Sequence, residues 1–192
     1  LLHGRDRERL DETAGELRRV SGSDRLQAYH ADLSSLEQVR RLGREVAGQP
    51  RLDVLVNNAG IAGEGPRQES ADGHELRFAV NYLAPFLLTH LLLPLLRRSA
   101  PARIVNVASV GQVPIDFDDV MLERRYDGLR AYRQSKLAQV MFTFELAERL
   151  RAAGEAGVTV NALHPATLMN TKMALETFGY AMSTVDDGVE AT

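Results

Sequence analysis

Tyr132 and Lys136 lie four residues apart at the start of a segment that runs to about Arg151. Apolar residues recur in it at Leu137, Val140, Met141, Phe144 and Ala147. That period is helical, so the phenol and the ammonium project from one face. A cation held beside a phenol favours the phenolate. The tyrosine is therefore expected to fall below its usual pKa of about 10, towards the range that serves acid/base chemistry near neutrality. By spacing alone the pair is equally the spelling of a solvated helical face. Composition adds weight: of the 23 basic residues only Lys136 and Lys172 are lysine. The chain thus writes its ordinary surface cations as arginine, and a lysine kept here suits a compact point charge that a planar guanidinium does not replace. Tyr126 has no lysine four residues on and is the weaker acid.

The elements that must position this pair fit within one domain spanning residues 1–192, with 44% hydrophobic content for a single core. A net charge of −3 and a pI near 6.0, with arginines scattered among acids, give no footprint for nucleic acid. The chain has no cysteine, which removes disulfides and thiolate metal sites and fits a reducing cytoplasm. The most apolar run, Tyr82 to Leu96, contains Pro85, His90 and Pro94 and is shorter than the roughly 20 residues of a bilayer crossing. It is expected to be a buried core helix and not a membrane span. The opening Leu1-Leu2-His3-Gly4 looks like the end of a strand, so the chain is expected to be a fragment.

Along the chain, Leu10, Ala14, Leu17 and Val20 predict an amphipathic helix over about 5–20. A short strand over Leu26 to His30 leads to Asp32-Leu33-Ser34, where Ser34 and Glu37 have capping-box spacing before a second helix. Leu52 to Val56 predicts a buried strand ending at Asn57-Asn58-Ala59-Gly60. A loop over 61–71 precedes a helical tract from about Asp72 to Arg97, in which Pro85 and Pro94 predict kinks or a break. Arg103 to Ala108 and Val158 to Leu163 are further strands, ending at Ser109 and at His164-Pro165. Strands alternating with helices predict a parallel sheet covered on both faces. The polar residues gather where strands end, which in an open parallel sheet is where a ligand crevice lies.

Together these residues resemble the short-chain dehydrogenase/reductase family, and more closely its retinol-dehydrogenase-like branch. Asn57-Asn58-Ala59-Gly60 is similar to the family's Asn-Asn-Ala-Gly turn, and Asn81 to its structural and catalytic asparagine. Ser109, after Ile104-Val105-Asn106-Val107-Ala108, is similar to its catalytic serine, and Tyr132 with Lys136 to its acid/base pair. The resemblance runs from Leu1 to about Met173 and implies a doubly wound, Rossmann-like α/β fold.

It also implies hydride transfer between a nicotinamide cofactor and an alcohol or carbonyl. In that scheme Tyr132 is the acid or base, and Ser109 donates a hydrogen bond to the substrate oxygen. Lys136 binds ribose and lowers the tyrosine's pKa, while Asn81 anchors a water. Cofactor contacts are implied for Arg5, Asp32, Leu33, Asn58, Ala59, Gly60, Tyr132, Lys136, Pro165 and Thr167. Gly4 followed by Arg5 at a strand end favours NADP, since an arginine accommodates a 2′-phosphate, with NAD the alternative because Asp6 comes next. A homodimer is expected by family analogy.

Taken without the family, Ser109 also fits a turn hydroxyl, Asn81 a backbone cap and His164 a structural histidine. Several features depart from the family pattern. Its opening strand and Thr-Gly-x-x-x-Gly-x-Gly loop do not occur in these residues, and Ala166 stands where glycine is usual. The segment from Gln112 to Arg130, with Asp116, Asp118 and Asp119, is longer than in many members and is expected to border the substrate entrance. Two other readings remain at this point: a regulatory dinucleotide-binding protein without turnover, and an inactive piece of a longer dehydrogenase.

Overall fold

A computed structural model describes residues 1–192, leaving aside the side chain of Phe178. Helix α1 (Arg7–Ser21) starts where the Asp6 carboxylate accepts from the Arg9 N–H at 3.1 Å, and it stops at Gly22 in the left-handed conformation. Helix α2 (Leu36–Ala47) is capped by Ser35, not by Ser34 as the capping-box spacing suggested. Asp32 takes the Ser34 N–H at 2.9 Å, and Gln38 turns back onto the Asp32 N–H at 3.0 Å. That local turn leaves Ser34 outside the helix and moves the cap one residue on.

The long helix α3 (Leu76–Arg98) runs through both prolines without a break. It widens into a π segment over Ala79–Leu83, just before Pro85. Proline has no N–H to return to the carbonyl four residues back, here that of Asn81, and the widened turn relieves the crowding. By length and composition α3 could cross a membrane, but 56% of its most apolar window is buried. It packs closely on α2: a Cβ at Gly43 would lie 2.7 Å from Leu91 Cδ1.

Strands β1 (Leu2–Gly4) and β2 (Ala28–His30) form one parallel pair. Strands β3 (Val54–Asn57), β4 (Ala102–Val107) and β5 (Val158–Leu163) form a second parallel sheet in that order. The two pieces are separated by a cleft of about 370 Å³ lined by Leu2, Leu42, Val46, Leu55, Val56 and Leu88, among others. β1 pairs only with β2, and β3 only with β4, so each keeps an unpaired edge. The gap between β1 and β3 lies where a doubly wound sheet has its switch point.

Leu55, Ile104 and Val160 pack against Leu92, Leu96, Phe142 and Leu146 of the helices. The opposite face of the same sheet is partly open: Val54, Val56, Arg103 and Thr159 are exposed, while Val105 and Val107 of β4 are buried. Both crossovers step the same way, from β3 to β4 to β5, and a right-handed crossover then places both helices on one side.

Helix α4 (Gly128–Ala152) carries the Tyr132–Lys136 pair. Its inward face is Phe142, Leu146 and Leu150 together with Gln134, Ser135, Gln139 and Thr143, all buried. Of the stripe read from the sequence, Phe144 is 72% and Met141 46% exposed, Leu137 and Val140 are half-buried, and Ala147 packs against the core. The segment is apolar on more than one side, and hydrogen bonds let polar residues take the inner one. Short helices α5 (Lys172–Phe178) and α6 (Val185–Ala191) close the chain.

Candidate active site

Asn81 sits fully buried inside the π segment. Its Oδ1 accepts from the Ile61 N–H at 2.8 Å, and its Nδ2 donates to the Ile61 carbonyl at 3.0 Å and to Ser135 Oγ at 2.9 Å. One side chain thereby ties the turn after Asn57-Asn58-Ala59-Gly60 to helix α4. Ser135 completes the link by donating to the Tyr132 carbonyl at 2.7 Å.

Lys136 reaches from the same helix to the end of β4. Its Nζ donates to the Val107 carbonyl at 2.8 Å and to Gln139 Oε1 at 2.9 Å. Burial disfavours the charged form and brings Lys136 down to about 8. The ammonium also faces Gly60, where an added Cβ would come within 3.5 Å of Nζ and 3.4 Å of Asn81 Oδ1. Nζ lies 5.8 Å from the centre of the Tyr132 ring, so the two groups are neighbours, but the ammonium's hydrogen bonds go to Val107 and Gln139.

Ser109 lies just beyond β4, where its Oγ accepts from the Gly111 N–H at 3.1 Å. A Cβ at Gly111 would touch both Ser109 Oγ and Arg133 Cγ, which places the serine's turn beside the first turns of α4. His164 contacts Thr167 Oγ1 at 3.2 Å in the loop after β5, and burial lowers its pKa. Thr167 and Pro165 therefore belong to the same set of strand ends.

The other expected cofactor residues lie across the cleft. Arg5 is exposed at the end of β1, its carbonyl accepting from His30 Nε2 at 2.9 Å. Asp6, which left the choice of cofactor open in the sequence, is engaged as the cap of α1. Asp32 shapes the β2–α2 turn and Leu33 is buried beside it, while Asn58 and Ala59 line the cleft from the β3 side.

Gln139 and the partners of Tyr126 went unnoticed in the sequence. Gln139 stands three residues after Lys136, a spacing that could have suggested contact on a helix. The second is a buried cluster with no local signal. Tyr126 donates to Glu75 Oε1 at 2.9 Å and accepts from Arg77, whose Nη2 donates to the Gly63 carbonyl at 2.8 Å. Burial, followed by the Glu75 charge, pushes Tyr126 up to about 12. That phenol is thus a structural donor, and the cluster ties the loop after Gly60, the 112–127 segment and the start of α3 together.

These strand-end residues on a parallel sheet fit an enzyme that handles a dinucleotide and a small polar group. The short chain dehydrogenase family model matches residues 1–179, and the chain belongs to that family. It is 45% identical over 169 residues to retinol dehydrogenase 13 of Mus musculus, covering 86% of this chain and 49% of that protein. It is 46% identical over 177 residues to retinol dehydrogenase 14 of Homo sapiens, covering 84% and 52% respectively. The chain thus spans about half the length of the curated relatives it matches. Among solved structures it is similar to a short-chain dehydrogenase from Sphingobium yanoikuyae in complex with NADPH. The TM-score is 0.75 at 27% identity, over 98% of this chain and 70% of that one.

Proposed function

We propose that the chain carries the catalytic centre of an NADP-dependent oxidoreductase that interconverts an apolar alcohol and its aldehyde or ketone. The observation that carries this reading is Lys136. It is buried with two of its three ammonium donors engaged inside the protein, and it faces a glycine beside Asn81. The third donor is left for an acceptor such as a ribose hydroxyl, and a buried cation at the strand ends fits a nicotinamide nucleotide. When bound, that nucleotide supplies or accepts the hydride.

The chain's own residues do the rest. Tyr132 Oη gives a proton to the carbonyl oxygen in reduction and removes it in oxidation. Ser109 Oγ donates a hydrogen bond to the same oxygen as negative charge develops there. Lys136 holds ribose and presents a cation to the phenol. Asn81, with both ends of its amide engaged, fixes the Gly60–Ile61 turn that borders Lys136. Arg5, exposed and not opposed by the engaged Asp6, is the group for a 2′-phosphate, with Asp32 and Leu33 flanking the adenine. Asn58, Ala59, Pro165 and Thr167 border the cofactor from the other strand ends.

The relatives named as retinol dehydrogenases and the apolar residues Val113, Pro114, Ile115 and Phe117 support an apolar substrate. Phe86, Met141 and Phe144, exposed on the outer flank of α3 and α4, are the surface on which a second copy would pair. A cytoplasmic location fits the cysteine-free composition.

The test is Tyr132→Phe in the full-length protein, assayed by NADPH consumption at 340 nm with retinal as substrate. Turnover should fall by about 10²-fold to 10⁴-fold with NADPH affinity nearly unchanged. A variant retaining more than about a tenth of wild-type turnover removes Tyr132 from the acid/base role.

A further inference from the structure

Gln139 is 2% exposed and Lys136 4%. Gln139 Oε1 accepts from Lys136 Nζ at 2.9 Å, yet Gln139 Nε2 is buried without a hydrogen-bond partner. An orphaned amide donor makes glutamine an unfavourable core residue, because methionine or leucine would fill the same space without that desolvation cost. The compensating contact is the one its oxygen makes with the buried ammonium.

We propose that Gln139 is a positioning residue that holds Lys136 toward the end of β4 and keeps it an ammonium at neutral pH. This rests on the role given to Lys136 under the proposed function. Burial works against the cation, and no charged partner offsets it. Each element packed around Nζ presents an uncharged group. β4 offers the Val107 carbonyl, the turn after β3 offers Gly60, and α3 offers Asn81. Among the described residues the titratable neighbour is Tyr132, on the same helix. Two oxygen dipoles therefore stabilise the charge: a main-chain one that substitution leaves in place, and that of Gln139.

With Lys136 near 8, about nine-tenths of it is charged at pH 7. Losing one hydrogen bond to a charged donor lowers the midpoint by about one pH unit and cuts the charged share at pH 7 to about half.

Only two lysines occur in the chain, which makes the experiment direct. Protein labelled with ¹³C at lysine Cε gives two resonances, and the largely exposed Lys172 is assigned with Lys172→Arg. The Lys136 midpoint should lie near 8 in the wild type and about one pH unit lower in Gln139→Leu, about a tenfold change in acid constant. In Gln139→Glu a carboxylate replaces the dipole, so the midpoint should rise by at least about one unit. A structural role alone would lower stability and leave the midpoint in place. If Gln139→Leu has no native amide spectrum, Gln139→Met carries the same expectation. A midpoint within about 0.2 units of wild type in the folded apolar variant overturns the proposal. The titration needs no turnover, so it is read apart from the Tyr132→Phe assay: a midpoint that moves supports this role even where that assay removes Tyr132 from the acid/base role.

Discussion

Replacing Glu75 with glutamine removes a negative charge from a site that water barely reaches. The Glu75 side chain is 1% exposed and that of Arg77 8%, with Nη1 3.5 Å from Oε1. The substitution keeps the shape and an oxygen for the Phe78 N–H, so the helix cap survives. What is lost is the counter-ion of a buried guanidinium, whose Nε already lacks a partner. Breaking one side of such a pair costs about 3–5 kcal/mol. The amide has one oxygen, so keeping it on the Phe78 N–H turns the NH2 towards Tyr126, which loses its acceptor; the low end of that range, about 3 kcal/mol, is thus a minimum. In a domain of this size that is a fall in Tm of about 6–12 °C and a sizeable part of a net stability of about 5–15 kcal/mol. Urea denaturation of Glu75→Gln, Arg77→Met and the double variant measures it. The double variant should recover much of the loss, because neither charge is then stranded. A Glu75→Gln cost below about 1 kcal/mol, or strictly additive losses in the double variant, would refute the argument that the pair is interdependent.

The other predictions concern the site. Lys136 titrates near 8 when folded, against an unfolded value of 10.5, so between these values the unfolded chain binds more protons and stability rises with pH. From pH 8 to pH 10 the gain should be about 2 kcal/mol and absent in Lys136→Met; equal slopes in denaturation midpoints would show that Lys136 is not buried as an ammonium. Above pH 10 the raised Tyr126 acts in the opposite sense, because the unfolded chain then loses its proton first. Ser135→Ala should cost about 1–2 kcal/mol by leaving Asn81 Nδ2 with one acceptor, Ile61, and an unchanged urea midpoint would contradict that link. In the full-length enzyme, Arg5→Asp should move the ratio of kcat/KM for NADPH over NADH towards NADH, and an unchanged ratio would place the phosphate contact elsewhere.

Much of this was legible from residue order. β5 runs from Val158 to Leu163 as its apolar run indicated, and the cap of α2 falls at Ser35, one residue after the Ser34 expected. The Tyr132–Lys136 pair shares a helix face because three and four residues make one turn. Gln139 was within reach of the same rule, but its amide has meaning only once Lys136 is known to be buried. Glu75, Arg77 and Tyr126 could not be found that way, since about 50 residues separate the tyrosine from its partners.

By itself, then, the sequence determined the type and order of the elements and the residues delivered to the strand ends. Those follow from hydrogen-bond spacing and side-chain period over a few neighbouring positions. Tertiary structure decided which flank of α4 is inside, leaving Phe144 exposed and Gln139 buried. It also decided that the helices of the β3–β5 sheet cover one face, and that the Lys136 ammonium is held by Val107 and Gln139. These depend on segments far apart in the chain meeting in space, where burial sets the charge states and competition for hydrogen bonds selects each contact.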